Sequence, residues 1–498
     1  MRSWDRRLTT ARAGLRRAAV WFDSPPSRRF CVILFGLYAL HVVTGLMAHA
    51  MWHDELQAWL IVRDSATPAE LARRLAYEGH PLGWYLLLWP FRFLGRDPAW
   101  MQVVAGACAL GAMALLLARG PFSRLELLLL PLSYPLVFEY AVKSRSYTLG
   151  NLVLFAFCAA FVARRSTFLL ALLLAVLVNV HAMFGLIALG GVSAVVVRRW
   201  QETGWRSILQ RADGAAVIVL TIGAVLAVAV AWPPPDSGFA MGWAFDLDRA
   251  HLDRTMSALV ALVGGGAIWQ GLAPNAPFLG LMLCALFLAR GPRAPAAAAF
   301  FGTAVLGLLA FMHVKWGLAP WHSALLVVVL VAAVWLGRGE QGPSGPALLP
   351  RPVFAAVLVV QAWVGVNAAV KDRSIPFSAA RETAHILIDA GLRDAPVFAL
   401  HDEAASGVIA YLGVPTGFYG PGWREGSYVI WDKARLVPVD VAALVDRAAA
   451  VPRAVVLDCK ATITEAPPDP RLVELRRVEG AAESCVIYRV ALSRPGSR

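Results

Sequence analysis

Two carboxylates stand side by side in Trp52-His53-Asp54-Glu55, directly after Phe30–Ala50, the first stretch long enough to cross a bilayer. Ionised acids at a membrane boundary are costly unless they face water or a partner. Trp52 and Trp59 flank the pair, and interfacial tryptophans fix depth. A carboxylate held there can take a proton from an attacking hydroxyl, with Asp54 the first candidate and Glu55 the second. The plain alternative is a helix-end acid that merely faces water. A second polar cluster, Glu78-Gly79-His80-Pro81, opens the next apolar stretch. Pro81 keeps His80 out of helical geometry. His80 could donate to a phosphate, ligate a metal or mark a helix boundary.

Lys143-Ser144-Arg145-Ser146-Tyr147 joins two apolar runs. Cations in an external loop run against the cytoplasmic bias of basic residues, and an arginine fork suits phosphate. An ordinary basic loop is the competing reading. His181, in Asn179-Val180-His181-Ala182, sits at a short turn, and His313, Lys315, Trp316 and His322 surround another. Lys315 is a second candidate phosphate contact. The histidines rank lower, because a lone histidine at a helix end is more often structural. Pro233-Pro234-Pro235-Asp236 starts a long external loop, of a length that often forms a lid.

The elements that must position these residues are membrane helices. Of 498 residues, 58% are hydrophobic and 16% charged, and mean hydropathy is +0.60, which a soluble domain does not match. The net charge of +13 does not point to nucleic acid. The basic residues gather in short loops, where they set orientation beside anionic headgroups. Arg2, Arg6, Arg7, Arg12, Arg16, Arg17, Arg28 and Arg29 precede the first apolar run. Ala48-His49-Ala50 mimics a signal-peptidase site, but the run is long for a signal core, so an uncleaved anchor is expected.

Residues 1–29 then form a cytoplasmic basic N-terminus, 30–370 a transmembrane module with 51–97 as its first external loop, and 371–498 an extracytoplasmic α/β domain. Thr67-Pro68-Ala69-Glu70 reads as a helix start with Thr67 as cap. Leu82–Leu94 reads as interfacial or half-inserted, since that choice keeps the arginine-rich loops inside. Further spans fall near 98–118, 122–141, 147–163, 167–183, 184–197, 212–232, 275–290, 294–313, 319–337 and 351–370, giving about eleven in all. The run 255–272, with Gly264-Gly265-Gly266, lies between them as an external or half-buried segment. The fold class is therefore an all-α polytopic bundle with a small C-terminal α/β domain. In that domain Ala379–Ala390 and Val439–Ala449 read as helices, and Val397–Leu400, Tyr428–Trp431, Ala454–Leu457 and Cys485–Val490 as strands. No cysteine spacing matches a zinc site; Cys459 and Cys485 could pair in an oxidising compartment.

The order Trp-His-Asp-Glu, Glu78-Gly79-His80-Pro81-Leu82-Gly83-Trp84-Tyr85, then Arg145-Ser146-Tyr147 resembles the GT-C superfamily of membrane glycosyltransferases. It is most similar to the group holding protein O-mannosyltransferases, the lipid A aminoarabinose transferase and lipopolysaccharide-core transferases. The resemblance covers roughly residues 30–200. It implies transfer of a hexose or pentose from a polyprenyl-phosphate donor to an extracytoplasmic hydroxyl of a glycolipid, glycan or protein, with inversion, in a bacterial inner membrane. Asp54 then carries over as the base. Glu55, Glu78, His80, Lys143, Arg145, Tyr147, His181 and Lys315 would orient substrate or meet phosphate. Leu82 stands where relatives often carry a second proline, and Tyr147 where some carry an acid, which departs from a metal bridged by two loop carboxylates. No cofactor is certain, a divalent metal is left open, and the partners are the lipid donor and membrane lipids. The oligomeric state is not legible. A transporter or flippase of lipid-linked sugars is the main alternative, and a membrane-anchored sensor is a third.

Overall fold

The apolar runs fold as helices because backbone polar groups in lipid must be satisfied within the segment. The computed structural model describes residues 17, 20–204, 211–238, 243–264, 276–315, 319–342, 348–414, 417–420, 424–460, 463 and 467–491. The arginines before Arg17, the 265–272 part of the glycine-rich run, and Trp316 lie outside the described residues.

The chain begins with α1 (Arg28–Ala48) and continues outside the bundle through α2 (His53–Asp64), α3 (Pro68–Arg74) and α4 (Gly83–Leu88). It returns as α5 (Ala99–Arg119), followed by α6 (Arg124–Leu129), α7 (Tyr147–Val162), α8 (Thr167–Val178), α9 (Ala182–Thr203) and α10 (Arg211–Ala231). After α11 (Arg249–Ser257) come α12 (Ala276–Ala289), α13 (Pro295–Val314), α14 (Pro320–Gln341) and α15 (Arg351–Ser374). Seven of these, α1, α5, α9, α10, α13, α14 and α15, are long and apolar enough to cross a bilayer, so the protein is multi-pass. Helices α7 and α8 are apolar but shorter. Helix α14 is the hub: every residue from Ser323 to Gly337 is buried, as expected of a helix apolar all round.

One expected span differs, while Leu82–Leu94 is as short as an interfacial segment requires. The segment at 122–141 is not one helix: after α6 it runs as a 3-10 turn Leu130–Leu132 and a π turn Pro135–Glu139. Pro131 and Pro135 remove amide donors and clash with the preceding turn, and the π turn leads into the loop that carries Lys143 and Arg145. Leu82–Leu94 is six α residues followed by six 3-10 residues with Pro90 between. That path is about 21 Å long, short of a roughly 30 Å hydrocarbon core, so it enters without crossing. Thr67 caps α3 as expected, its hydroxyl accepting from Glu70 N at 3.1 Å, while Glu70 Oε2 accepts from Ala66 N at 2.7 Å.

The C-terminal region holds α16 (Ala380–Asp389), β1 (Val397–Ala399), α17 (Asp402–Leu412), β2 (Phe418–Tyr419), β3 (Glu425–Gly426), α18 (Val441–Ala449), β4 (Val455–Lys460), β5 (Leu472–Val478) and β6 (Ser484–Val490). These strands form one mixed sheet ordered β3-β2-β1-β4-β6-β5. Of the expected strands, Tyr428–Trp431 is irregular backbone; β2, β3 and β5 lie outside the expected strands. Tyr428–Trp431 packs its side chains against the first external loop instead of pairing. Cys459 and Cys485 face each other across β4 and β6 and form a disulfide. One core face of the sheet packs α16 and α17, and the other packs α18.

Candidate active site

Helix α2 starts at the carboxylate motif. Its first turn is fixed by Glu55, which is fully buried. Glu55 Oε1 accepts from Ser144 N at 2.5 Å, and Oε2 lies 2.9 Å from His49 Nε2. The other ring nitrogen of His49 lies 2.9 Å from Asp372. Glu55 therefore ties α2 to the 143–146 loop and to the end of α15. Both its oxygens are committed, and Glu55 also borders a cavity of about 30 Å³ that it shares with Asp54.

Asp54, one residue earlier, keeps a third of its side chain accessible. Its Oδ2 lies 3.3 Å from Arg145 Nη2, and its Oδ1 lies 3.8 Å from His53 Nε2. Burial works against the charge of Asp54, but the neighbouring cations, Arg145 foremost, outweigh it and hold the carboxyl below its ordinary range. His53 is anchored from the C-terminal domain: its Nδ1 donates to Glu483 Oε1 at 2.7 Å, its backbone N–H donates to the same oxygen at 2.9 Å, and Ser378 Oγ donates to Oε2 at 3.0 Å. Burial opposes the imidazolium, yet Glu483 and Asp54 raise its pKa.

Two small cavities meet at this pair. One, of about 70 Å³, is walled by Asp54, Gln57, Glu78, His80 and Arg145, and by Glu403, Ser406, Val429 and Trp431 from the C-terminal region. The other, about 30 Å³, shares Asp54, His80, Tyr85 and Arg145 and reaches Ser146 and His181. Arg145 Nη1 is buried and has no partner among the described residues. The guanidinium also sits over the rings of Tyr147 and Trp321, at 5.4 and 5.3 Å.

A column of rings sets the remaining members. Tyr140 stacks on Tyr147 at 5.0 Å, Tyr147 meets His181 at 4.8 Å, and His181 meets His80 at 4.8 Å. His181 caps α9, its Nδ1 accepting from Met183 N at 3.2 Å, so Nε2 carries the proton toward Tyr147 Oη 3.3 Å away. Gly83 clamps the His80 segment onto this turn: its N–H donates to Asn179 O at 2.7 Å. A Cβ there would lie 2.5 Å from that oxygen. Gly83→Ala is expected to cost about 1–3 kcal/mol, read as a lower unfolding midpoint of the purified protein.

Burial and Arg145 lower His80 to about 4, so it is a neutral imidazole and not a cation for phosphate. Glu78 accepts from Gln57 Nε2 at 2.8 Å. Burial above all, with Asp54 nearby, raises Glu78 to about 8. The folded state thus holds a proton between about pH 4.5 and 8 that the unfolded chain has released, so this group's contribution to stability falls as pH rises through that window. Glu78→Gln is expected to flatten this loss, narrowing or reversing the gap to wild type at pH 9 relative to pH 5, measured by thermal unfolding at both values.

Two expected members are elsewhere. Lys143 is buried, 3.0 Å from Glu139 Oε2 and 4.5 Å from the Phe377 ring centroid; the π turn directs it away from the Asp54 cavities, where it lines neither. Lys315 lies at the end of α13 over Trp243, at 5.1 Å, on a different loop. Sequence reading missed Gln57, Glu403, Trp431 and Glu483. His53 was visible inside the motif, but Glu483 is 430 residues away and carries no local signal. Among the described residues no three His, Cys, Asp or Glu side chains converge as a metal site, and no step below is routed through one.

The fold is thus a multi-pass helix bundle that carries a small α/β domain, with an acid–arginine pair between them. Two crystal structures share this fold. ArnT from Cupriavidus metallidurans in the apo state superposes with a TM-score of 0.55 at 15% identity, covering 93% of this chain and 99% of ArnT. The same protein bound to undecaprenyl phosphate gives 0.52 at 14% identity, covering 94% and 100%. No family model matches the chain, and no curated protein matches it by sequence.

Proposed function

We propose that the protein is a glycosyltransferase that moves a sugar from a polyprenyl-phosphate donor to an extracytoplasmic acceptor hydroxyl. One observation carries this reading: the ion pair of Asp54 and Arg145 stands where two cavities meet, on the fold of a protein that binds undecaprenyl phosphate.

The donor phosphate takes the place of Asp54 on Arg145, whose partnerless Nη1 adds a second donor for it. This exchange removes a cation from Asp54 and adds an anion nearby. Both changes raise its pKa and make it a better base. The acceptor oxygen attacks the anomeric carbon from the face opposite the phosphate. Its proton passes to Asp54, the carbon–oxygen bond to phosphate breaks, and the electron pair stays on the phosphate, neutralised by Arg145. Inversion follows from that single displacement. His53, held by Glu483, stands beside Asp54, and both carboxylates favour its charged form. Glu78, protonated at neutral pH, lines the cavity without adding a second negative charge next to the base.

In this reading the N-terminus is cytoplasmic, the 371–498 domain is external, and the membrane is the bacterial inner membrane. The test is a transfer assay with purified protein, a synthetic polyprenyl-phosphate sugar, and an envelope extract from a strain lacking the protein. Donor-dependent labelling of one envelope component supports the reading. Donor crossing vesicle bilayers with no sugar transferred supports a flippase instead.

A further inference from the structure

A second cavity, far larger than those beside Asp54, lies in this region. It encloses about 540 Å³ between the end of α2, α3 and the 418–435 part of the C-terminal domain. Five arginines line it: Arg63, Arg74, Arg96, Arg424 and Arg435. Of the four carboxylates that line it, Asp64, Asp402 and Asp432 are engaged by arginines, and Glu425 is the fourth. Asp64 accepts from Arg63 Nε at 2.8 Å and from Arg96 Nη2 at 3.3 Å, Asp432 accepts from Arg424 at 2.6 Å, and Asp402 accepts from Arg435 Nη2 at 2.7 Å. Hydrogen-bond donors are left in excess. The sharpest case is Arg63, which is 5% exposed and whose buried Nη1 has no partner among the described residues. A buried guanidinium with an unused edge calls for an acceptor, and an oxyanion is the strongest one.

Three elements run from this cavity to the one at Asp54. Helix α2 presents Arg63 to the first and Asp54 to the second. Val429 borders both, and its backbone is clasped by the Gln57 side chain, at 2.7 Å to its carbonyl and 3.1 Å from its N–H. At the start of α17, Asp402 lines the large cavity and Glu403 the small one, and Arg435 holds both. From Asp54 to Arg63 is nine residues of helix, about 13 Å, longer than one sugar ring.

Resting on the transferase reading, we propose that the large cavity docks an oxyanion-bearing saccharide of the acceptor. A phosphate or a uronate carboxylate sits on Arg63, held away from the hydroxyl that is modified at Asp54. The Gln57–Val429 clasp separates the two sites.

Calorimetric titration of the purified full-length protein with glucose 6-phosphate, glucuronate, glucose and inorganic phosphate tests this. One or both charged sugars should bind at least about tenfold more tightly than glucose, as loss of a charge-assisted hydrogen bond implies. The tighter of the two identifies the oxyanion. Arg63→Gln should weaken that binding by a similar factor. So should Arg424→Gln, at a half-exposed position that keeps the protein assayable if the buried substitution does not fold. Arg164→Gln, remote from both cavities, should bind the sugar as wild type does. Glucose binding equally well, bare phosphate matching the sugar phosphate, or undiminished binding by folded Arg424→Gln overturns the proposal. If charged sugars fail to bind while wild type transfers sugar, the docking site falls and the transferase reading stands. Charged-sugar binding without any transfer overturns the transferase reading and leaves a saccharide site.

Discussion

Asp54→Asn is expected to reduce sugar transfer by about 10²–10⁴-fold, the range for removing a general base, while expression and membrane insertion stay at wild-type levels. The asparagine keeps the shape of the side chain and can still face Arg145, so the loss isolates proton acceptance from architecture. Asp54 is also partly accessible, which limits the structural cost of the change. Donor binding should survive, because Arg145 is then released from its carboxylate partner. Initial-rate assays with the variant in detergent or nanodiscs check this; turnover within threefold of wild type, roughly 0.7 kcal/mol in barrier, removes Asp54 from the chemistry.

Arg145→Gln carries the second large effect, about 10²–10³-fold in rate, as when one group stabilising developing charge is removed. Arg164→Gln, at an exposed arginine paired with Glu202 at 2.6 Å, should leave transfer unchanged. Arg145→Gln should also move the acid limb of the kcat/KM profile upward, because Arg145 helps hold Asp54 below its ordinary range. Lys143 separates the two cationic roles. Its partner Glu139 is buried, so Lys143→Met strands a carboxylate and should cost about 3–5 kcal/mol of stability. That loss appears in the unfolding midpoint, whereas Arg145→Gln shows itself in rate.

Residues close in sequence were legible. The membrane module followed from apolar runs, and Asp54, His80 and Arg145 meet because each stands next to an end of such a run. Periodicity could not say which way each side chain turns. Adjacent Asp54 and Glu55 both border a cavity, but Asp54 pairs with Arg145 while Glu55 is tied to His49 and Ser144. The same holds for Lys143 and Arg145, separated by the geometry of a π turn that two prolines impose. The far wall was hidden for another reason. Glu403, Val429, Trp431 and Glu483 reach the site only through docking of the α/β domain onto α2, and no local pattern encodes a contact across hundreds of residues.

The most direct measurement is a cryo-electron microscopy structure of the purified protein with a polyprenyl phosphate. The account places the phosphate within hydrogen-bond distance of Arg145, with Asp54 turned from that arginine toward open cavity. A phosphate held at Lys315, or anywhere that leaves the Asp54–Arg145 pair closed, contradicts it.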